Sequence, residues 1–271
     1  MPSVLDNLKS TLDQRTLIMG ILNVTPDSFS GDGLGDDREG AVTQGRRMAR
    51  EGADILDVGG QSTRPGAVTI PVEEELSRVI PAISRLAARD GPGVAISVDT
   101  NRSRVADAAL RAGAHIVNDI SGLRDDPAIA DTVAEHDAGL VVMHIQGTPS
   151  DMQIAPHYDD LLAEVIAYLQ AAIDKAMAAG VRKDRIWVDP GIGFGKTLRH
   201  NLELIRRLRE IEVLGCPILI GTSRKGFIGR ILAPLNDGEA PHPEERVAGT
   251  GATLAISIAN GANIIRVHDV A

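Results

Sequence analysis

The sequence predicts an α/β protein built as a (β/α)8 TIM barrel, and three observations predict it. Short apolar runs alternate with longer segments of helical periodicity from one end of the chain to the other, the rhythm of parallel strands joined by crossover helices. Eight such runs can be counted, the number that closes a barrel of this type. Polar residues gather at the ends of these runs, where ligands bind in such folds. A doubly wound open sheet is the alternative that the same alternation allows. With 271 residues, 43% of them hydrophobic, and no linker or low-complexity segment, residues 1–271 read as one domain around one large core.

Taken in order, Val4, Leu5, Leu8 and Leu12 recur at helical spacing and predict a short helix ahead of the first strand. The strands are read at 16–24, 54–59, 94–99, 115–118, 140–144, 186–189, 218–222 and 264–268. Helical segments fall near 38–51, 72–89, 103–112, 127–136, 158–179, 199–212 and 243–259. The clearest of them carries Leu162, Val165, Ile166, Leu169, Ile173 and Met177 on one face and stops at Gly180, a left-handed cap. The last opens with Pro243-Glu244-Glu245, where proline suits the first turn and the acids complement the positive helix end. Ala271 follows directly on the eighth strand, so the final helix of the pattern is absent from this sequence. The expectation is that the leading helix covers part of the outer face left by that absence, helped by a second subunit.

The net charge of −9 argues against nucleic acid and anionic membrane as partners, since both attract basic surfaces. There is no apolar run of spanning length, and Met1-Pro2-Ser3 does not open a signal peptide. One cysteine, Cys216, forms no internal disulfide and reads as packing. A cytoplasmic address is the simplest reading.

The polar strand ends form a coherent set. Asn23 ends strand one, Thr63-Arg64-Pro65 follow strand two, Asp99 ends strand three, and Asn118-Asp119 end strand four. His144 ends strand five, Asp189 ends strand six, Ser223-Arg224-Lys225 follow strand seven, and Arg266 and His268 face one way on strand eight. Glycines 191, 193 and 195 after Asp189 allow close approach of a ligand, but Pro190 rules out a Walker loop and Lys196 breaks the dinucleotide fingerprint. Asp99, Asn118 and Asp189 suit a planar heterocycle carrying amino and ring N–H donors, with Lys225 on a ring carbonyl or nitrogen. Structural ion pairing of these acids with Lys225 or Arg224 is the plainer alternative. Arg64, Arg266 and His268 suit phosphate, and Asn23 suits Mg2+, which takes few protein ligands beside phosphate and water. His144 reads as a hydrogen-bonded wall, and His115, at the other end of its strand, as structural. Phe29 and Phe194 stand in glycine-rich loops, either closing over an aromatic substrate or anchoring those loops.

Through these residues the chain resembles the dihydropteroate synthase family from its first strand to its last. Met19 to Ser30 and Val58 to Gly66 resemble two signatures of that family. Ser97-Val98-Asp99-Thr100, Val117 to Gly122, Met143 to Pro149, Asp189 to Thr197, Gly221 to Lys225 and Arg266-Val267-His268-Asp269 follow in the family's order. The resemblance implies a transferase of folate synthesis that joins 6-hydroxymethyl-7,8-dihydropterin diphosphate to 4-aminobenzoate and releases diphosphate with Mg2+. It implies that Asp99, Asn118, Asp189 and Lys225 hold the pterin, walled by Ile120 and Met143, with Arg266 stacked on or near it. Asn23, Arg266 and His268, with Thr63, would hold diphosphate and metal. Thr63, Arg64, Pro65, Phe194, Ser223 and Lys225 would frame the aminobenzoate, so sulfonamides should compete there. The catalytic set would be Asp99, Lys225, Arg266 and His268, and the assembly a homodimer.

Three departures qualify the match. The stretch Gly31 to Asp37 is richer in glycine and acid than the family's first loop, Gln61 replaces a usual glutamate, and the last helix is absent. Two rival readings stay open. Lys225 as a Schiff-base nucleophile leaves Asp99, Asn118 and Asp189 unexplained. A non-catalytic or methyl-transfer pterin-binding module would keep those three without needing Thr63, Arg64, Ser223 and His268 together.

Overall fold

The computed structural model describes residues 3–24, 37–62 and 69–271. Eight parallel strands lie in the order β6-β5-β4-β3-β2-β1-β8-β7. They are β1 (Leu17–Asn23), β2 (Ile55–Gly59), β3 (Ala95–Asp99), β4 (Ile116–Asp119), β5 (Gly139–Met143), β6 (Ile186–Asp189), β7 (Leu219–Ile220) and β8 (Ile264–Val267). The remaining gap, between β6 and β7, is spanned by a parallel bridge from Val188 to Ile218, backed by the Val188 N–H donating to Pro217 O at 2.9 Å. The barrel therefore closes, and the open-sheet alternative falls away.

The leading helix is α1 (Val4–Leu12). Helices α2 (Asp37–Glu51), α3 (Val72–Leu86), α4 (Ser103–Arg111), α5 (Ala128–Glu135), α6 (Leu161–Ala178) and α7 (Leu198–Arg206) follow β1 to β6 in turn. After β7 come a short α8 (Gly226–Leu232) and then α9 (Val247–Ala259). No helix is expected at α8 from the sequence, because Gly226 and Gly229 interrupt its brief pattern. The expected helix at 199–212 tightens into a 3-10 segment from Leu208 to Leu214, and the Pro243–Arg246 turn is likewise 3-10. α6 is capped by Asp160, whose side chain accepts from the Ala163 N–H. It buries Leu162, Val165, Leu169 and Ile173 as expected and stops at Gly180, φ 100°, but Met177 stays exposed.

Side chains alternate across each strand. Leu22, Leu56, Val58, Ile96, Val98, Val117, Leu140, Val142, Val188 and Val267 point outward and build the main core with the helices. The inward set near the amino ends of the strands, Leu17, Met19, Ile55, Ala95, Ile116, Val141, Trp187, Leu219 and Ile264, forms a second core, and Leu5 and Leu8 belong to it. Helix α1 thus plugs the barrel floor, which overturns the expectation that it shields strand eight. A Ser3–Asp6 capping box starts it, and Asp6 receives Arg185 Nη2 at 2.8 Å from the loop before β6. The outer face beside β8 is covered differently. Gly20 on β1 leaves room there for Met48 of α2 and for Val270, just after β8. A cavity of about 400 Å³ under the floor, lined by Leu5, Leu12, Trp187 and Pro217 among others, contains none of the strand-end polar residues.

Candidate active site

Above the apolar floor the same inward register turns polar, because the next residues in phase are Asp57 on β2, Ser97 and Asp99 on β3, Asn118 on β4, Asp189 on β6 and Arg266 on β8. Asp57, fully buried, anchors the group. Its Oδ2 accepts from Arg266 Nε at 2.6 Å and from Asn118 Nδ2 at 2.9 Å. Arg266 Nη2 donates to Asp99 Oδ2 at 2.6 Å. One guanidinium is thus shared by two carboxylates, so only one of them is fully compensated. Burial pushes Asp99 up to about 7 against the pull of Arg266, with Asp57, Glu75 and Asp119 adding to the rise. Burial opposes the Arg266 charge, but Asp57 and Asp99 outweigh it and raise its pKa.

Asp189 Oδ1 accepts from the Gly191 N–H at 2.7 Å, and burial raises its pKa against the neighbouring Lys225. Positive φ at Gly191, Gly193 and Gly195 folds the next turn tightly onto the loop after β5. A Cβ at Gly191 would lie 1.9 Å from His144 O. From the other side of the barrel's closing gap, Lys225 Nζ donates to Ile192 O and sits 4.7 Å from the Phe194 ring centre. Burial lowers Lys225 to about 8, Asp189 opposing and Arg266 assisting. Ser223 Oγ accepts from the His268 N–H at 3.1 Å and lies 3.0 Å from His268 Nδ1, fixing that ring at the rim. Ile120, Met143, Ile145 and Met152 form a separate apolar cluster, with Phe194 against it.

His144 faces outward, one residue out of phase with inward-facing Met143. Its ring packs edge-on to Tyr168, and Nδ1 lies 2.8 Å from Nζ of the fully buried Lys196, which also donates to Phe194 O at 2.9 Å. Burial, then Lys196, lowers His144 to about 2, so a neutral ring accepts from the amine. The wall reading of His144 therefore holds, but it braces the Phe194 loop from behind and does not line the pocket. Asp119 also leaves the set, since its carboxylate accepts from the Ser121 and Leu123 N–H groups in the turn after β4.

Among the described residues, in the layer above Asp57 and Ser97, three carboxylate or amide oxygens accept no hydrogen bond: Asp99 Oδ1, Asn118 Oδ1 and Asp189 Oδ2. They offer acceptors to a donor-rich ligand edge. Asn23, at the end of β1, is half-buried, and a Cβ at Gly59 would lie 3.7 Å from both Asn23 Oδ1 and Asp99 Oδ2. Among the described residues, the absent side chain keeps Gly59 from filling the space between these two oxygens.

A family model described as pterin binding enzyme matches residues 19–268. The dihydropteroate synthase of Synechocystis sp. is 49% identical over 257 residues, covering 95% of this chain and 86% of that protein. This chain belongs to the dihydropteroate synthase family. Dihydropteroate synthase structures agree. The Xanthomonas albilineans enzyme with 4-aminobenzoic acid superposes with a TM-score of 0.87 at 47% identity, covering 95% of this chain and 89% of that one. The Yersinia pestis dihydropteroate synthase in a sulfonamide drug complex gives 0.87 at 42% identity, covering 96% and 90%.

Of the site expected from the dihydropteroate synthase resemblance, the structure gathers Asp99, Asn118 and Arg266 into one network and sets Lys225 against Phe194. Asp189 lies within electrostatic reach of Lys225, Ser223 is joined to His268, and Ile120 and Met143 share one apolar wall. Thr63, Arg64, Pro65 and Phe29 lie outside the described residues, as does most of the glycine-rich first loop. Of the ion-pair alternative for the acids, the Arg224 half is corrected, while Lys225 stays an electrostatic neighbour of Asp189. Arg224 pairs with Asp269 at 2.5 Å, and Asp99 takes Arg266. His115 is structural as expected, its Nδ1 accepting from the Ile96 N–H. Gln61 Oε1 receives the Ile70 N–H at 3.2 Å and Arg102 Nη2 at 3.3 Å, tying down the far end of the loop after β2. Sequence reading missed Asp57, although its place two residues before Gly59 on an otherwise apolar strand marked it as inward and charged.

Proposed function

We propose that this chain joins 6-hydroxymethyl-7,8-dihydropterin diphosphate to 4-aminobenzoate, giving 7,8-dihydropteroate and diphosphate. The observation that carries the reading is the row of uncommitted acceptors on Asp99, Asn118 and Asp189 beside Arg266 and Lys225. It matches the amino and ring N–H edge of a pterin, with Lys225 for a ring oxygen or nitrogen and Ile120 and Met143 against the ring face.

In the reaction the aromatic amine nitrogen forms a bond to the pterin methylene while the methylene–oxygen bond to diphosphate breaks. The amine, neutral near pH 7, gives its proton to solvent and needs no strong base. Leaving-group charge is then the larger problem. Arg266 and His268, at the end of β8, meet the diphosphate with donors already oriented by Asp57, Asp99 and Ser223, a preorganised effect worth several kcal/mol. Asp99, when ionised, favours positive charge spreading from the methylene into the ring. Lys225 and Ser223 frame the aminobenzoate with Phe194, and sulfonamides compete there.

The donor set fits Mg2+. Asn23 contributes one hard oxygen across Gly59 from Asp99, and this ion takes few protein ligands beside phosphate and water. Asn23 would hold it, and when bound it supplies positive charge to the diphosphate oxygens. A homodimer fits the apolar face of α9, where Val247, Ile256 and Ile258 are exposed. No helix among the described residues is long and apolar enough to cross a membrane. A cytoplasmic setting fits the lone, buried Cys216.

The test mixes the protein with pterin diphosphate, labelled 4-aminobenzoate and Mg2+, and measures labelled dihydropteroate. Product that requires metal and falls with a sulfonamide supports the reading. Pterin binding without product points instead to a binding or methyl-transfer module.

A further inference from the structure

We propose that Asp57 is the positioning residue of the pterin pocket, its single Oδ2 setting both the orientation of the Asn118 amide and the plane of the Arg266 guanidinium. The inference rests on the pterin reading of the pocket and adds a residue that touches no substrate. Asp57 lies one layer below the pocket-facing groups, in register with Ile21 on β1 and Ser97 on β3, and is fully buried.

The chemistry of the two bonds decides the roles. A carboxylate whose Oδ2 already takes the Arg266 Nε–H has only acceptors to offer, so the Asn118 side that turns toward it must be the NH2. That choice leaves Asn118 Oδ1 as the atom available to a ligand. An asparagine without this neighbour presents either end, and a donor aimed at the pterin's own N–H edge is repelled. Asp57 therefore converts an ambivalent amide into an acceptor, completing the row with Asp99 Oδ1 and Asp189 Oδ2. The same oxygen fixes Arg266. With Nε on Asp57 and Nη2 on Asp99, the planar guanidinium is held at two points by acids from two adjacent strands and cannot swing. The arrangement is not built for stability alone, because Asp57 Oδ1 is buried without a hydrogen-bond partner, and so is Ser97 Oγ on the register-paired residue.

The experiment compares wild type, D57N, N118D and the swapped double variant D57N/N118D by steady-state kinetics and by equilibrium binding of the pterin substrate. D57N lets the Asn118 amide turn either way, so the KM for pterin diphosphate is expected to rise about tenfold or more, the scale of one misplaced charged hydrogen bond. The KM for 4-aminobenzoate should stay within about twofold, because Asp57 holds none of its framing residues; that bound follows from the same hydrogen-bond scale. N118D, facing Asp57 with a second acceptor, should lose pterin affinity by at least as much. In the swapped double variant the amide at position 57 donates to the carboxylate at position 118, whose other oxygen again offers an acceptor. Pterin binding should then recover relative to either single variant. A merely structural role predicts no such recovery.

D57N with the wild-type pterin KM, N118D with wild-type affinity, or a folded double variant no better than the singles overturns the inference. If D57N does not fold, N118D still decides, since it leaves Asp57 in place. Wild-type protein that binds no pterin at all would defeat the synthase reading itself, an outcome separate from wild-type turnover with an indifferent D57N.

Discussion

The two ends of this barrel are made by the same inward-facing register of the same eight strands, yet they have opposite chemistry. At the floor the register reads Leu17, Ile55, Ala95, Ile116, Val141, Trp187, Leu219 and Ile264, sealed by Leu5 and Leu8 of α1. Further along the strands it reads Asp57, Asp99, Asn118, Asp189 and Arg266. The floor gains its stability from apolar burial, about 1.5–3 kcal/mol for each large side chain. The mouth holds buried charges whose desolvation is only partly offset by their pairing. Stability and chemistry are thus segregated along one axis, and substitutions should sort accordingly.

The largest effect belongs to the mouth. Arg266→Lys loses the two-point fork on Asp57 and Asp99, and kcat/KM should fall about 100- to 1000-fold with little change in melting temperature. Wild-type turnover would mean that a simple positive charge suffices there. At the floor, Leu8→Ala should lower stability by about 2–5 kcal/mol in denaturant titration while kcat stays near wild type. A matching collapse of kcat in folded Leu8→Ala protein would show the two ends to be coupled.

A third probe uses pH. Asp99 has a folded pKa of about 7 against an ordinary 3.8, so the native state holds this proton more tightly than the unfolded chain. Its contribution to stability is therefore full below 3.8 and declines as pH rises to about 7. The melting temperature of Asp99→Asn minus that of wild type should accordingly increase with pH across this window. On the proposed reaction, activity should run the other way, because ionised Asp99 is the form that would support charge on the pterin. Acidification below about 7 should lower kcat/KM by up to tenfold per pH unit. A difference in melting temperature that is flat with pH would place the titration elsewhere. The smallest effect is expected at the rim of the floor, where the exposed pair Lys9–Asp184 at 3.0 Å should contribute under about 1 kcal/mol, so Lys9→Met should be nearly silent in the same denaturant titration.

How far the sequence spoke depended on what a local pattern can encode. Alternation located all eight strands, and their polar ends gathered Asp99, Asn118, Asp189 and Arg266, with the period of two applied only to Arg266 and His268. The same rule, followed one residue further, would have turned His144 and Asp119 outward; grouping them by strand end ignored their phase. Asp57 was hidden because it lies mid-strand, where a carboxylate looks like an interruption of an apolar run until its partners, 61 and 209 residues away, are seen. The stripe on α1 announced a buried face but not the surface that buries it, which is a matter of tertiary packing. α8 escaped because two glycines in seven residues give no helical signal.

The join between β6 and β7 governs the mechanics of the mouth. Every other pair of neighbouring strands is laced by a ladder, whereas this pair has one bridge, and β7 is only two residues long. Directly above the join, Lys225 reaches across from the β7 side to Ile192 O and leans on Phe194. The pocket's own side chains therefore stitch the place where the cylinder is least well fastened. On the proposed reading, a substrate wedged between Lys225 and Phe194 would act as a clasp, so that filling the site and tightening the hoop would become one event.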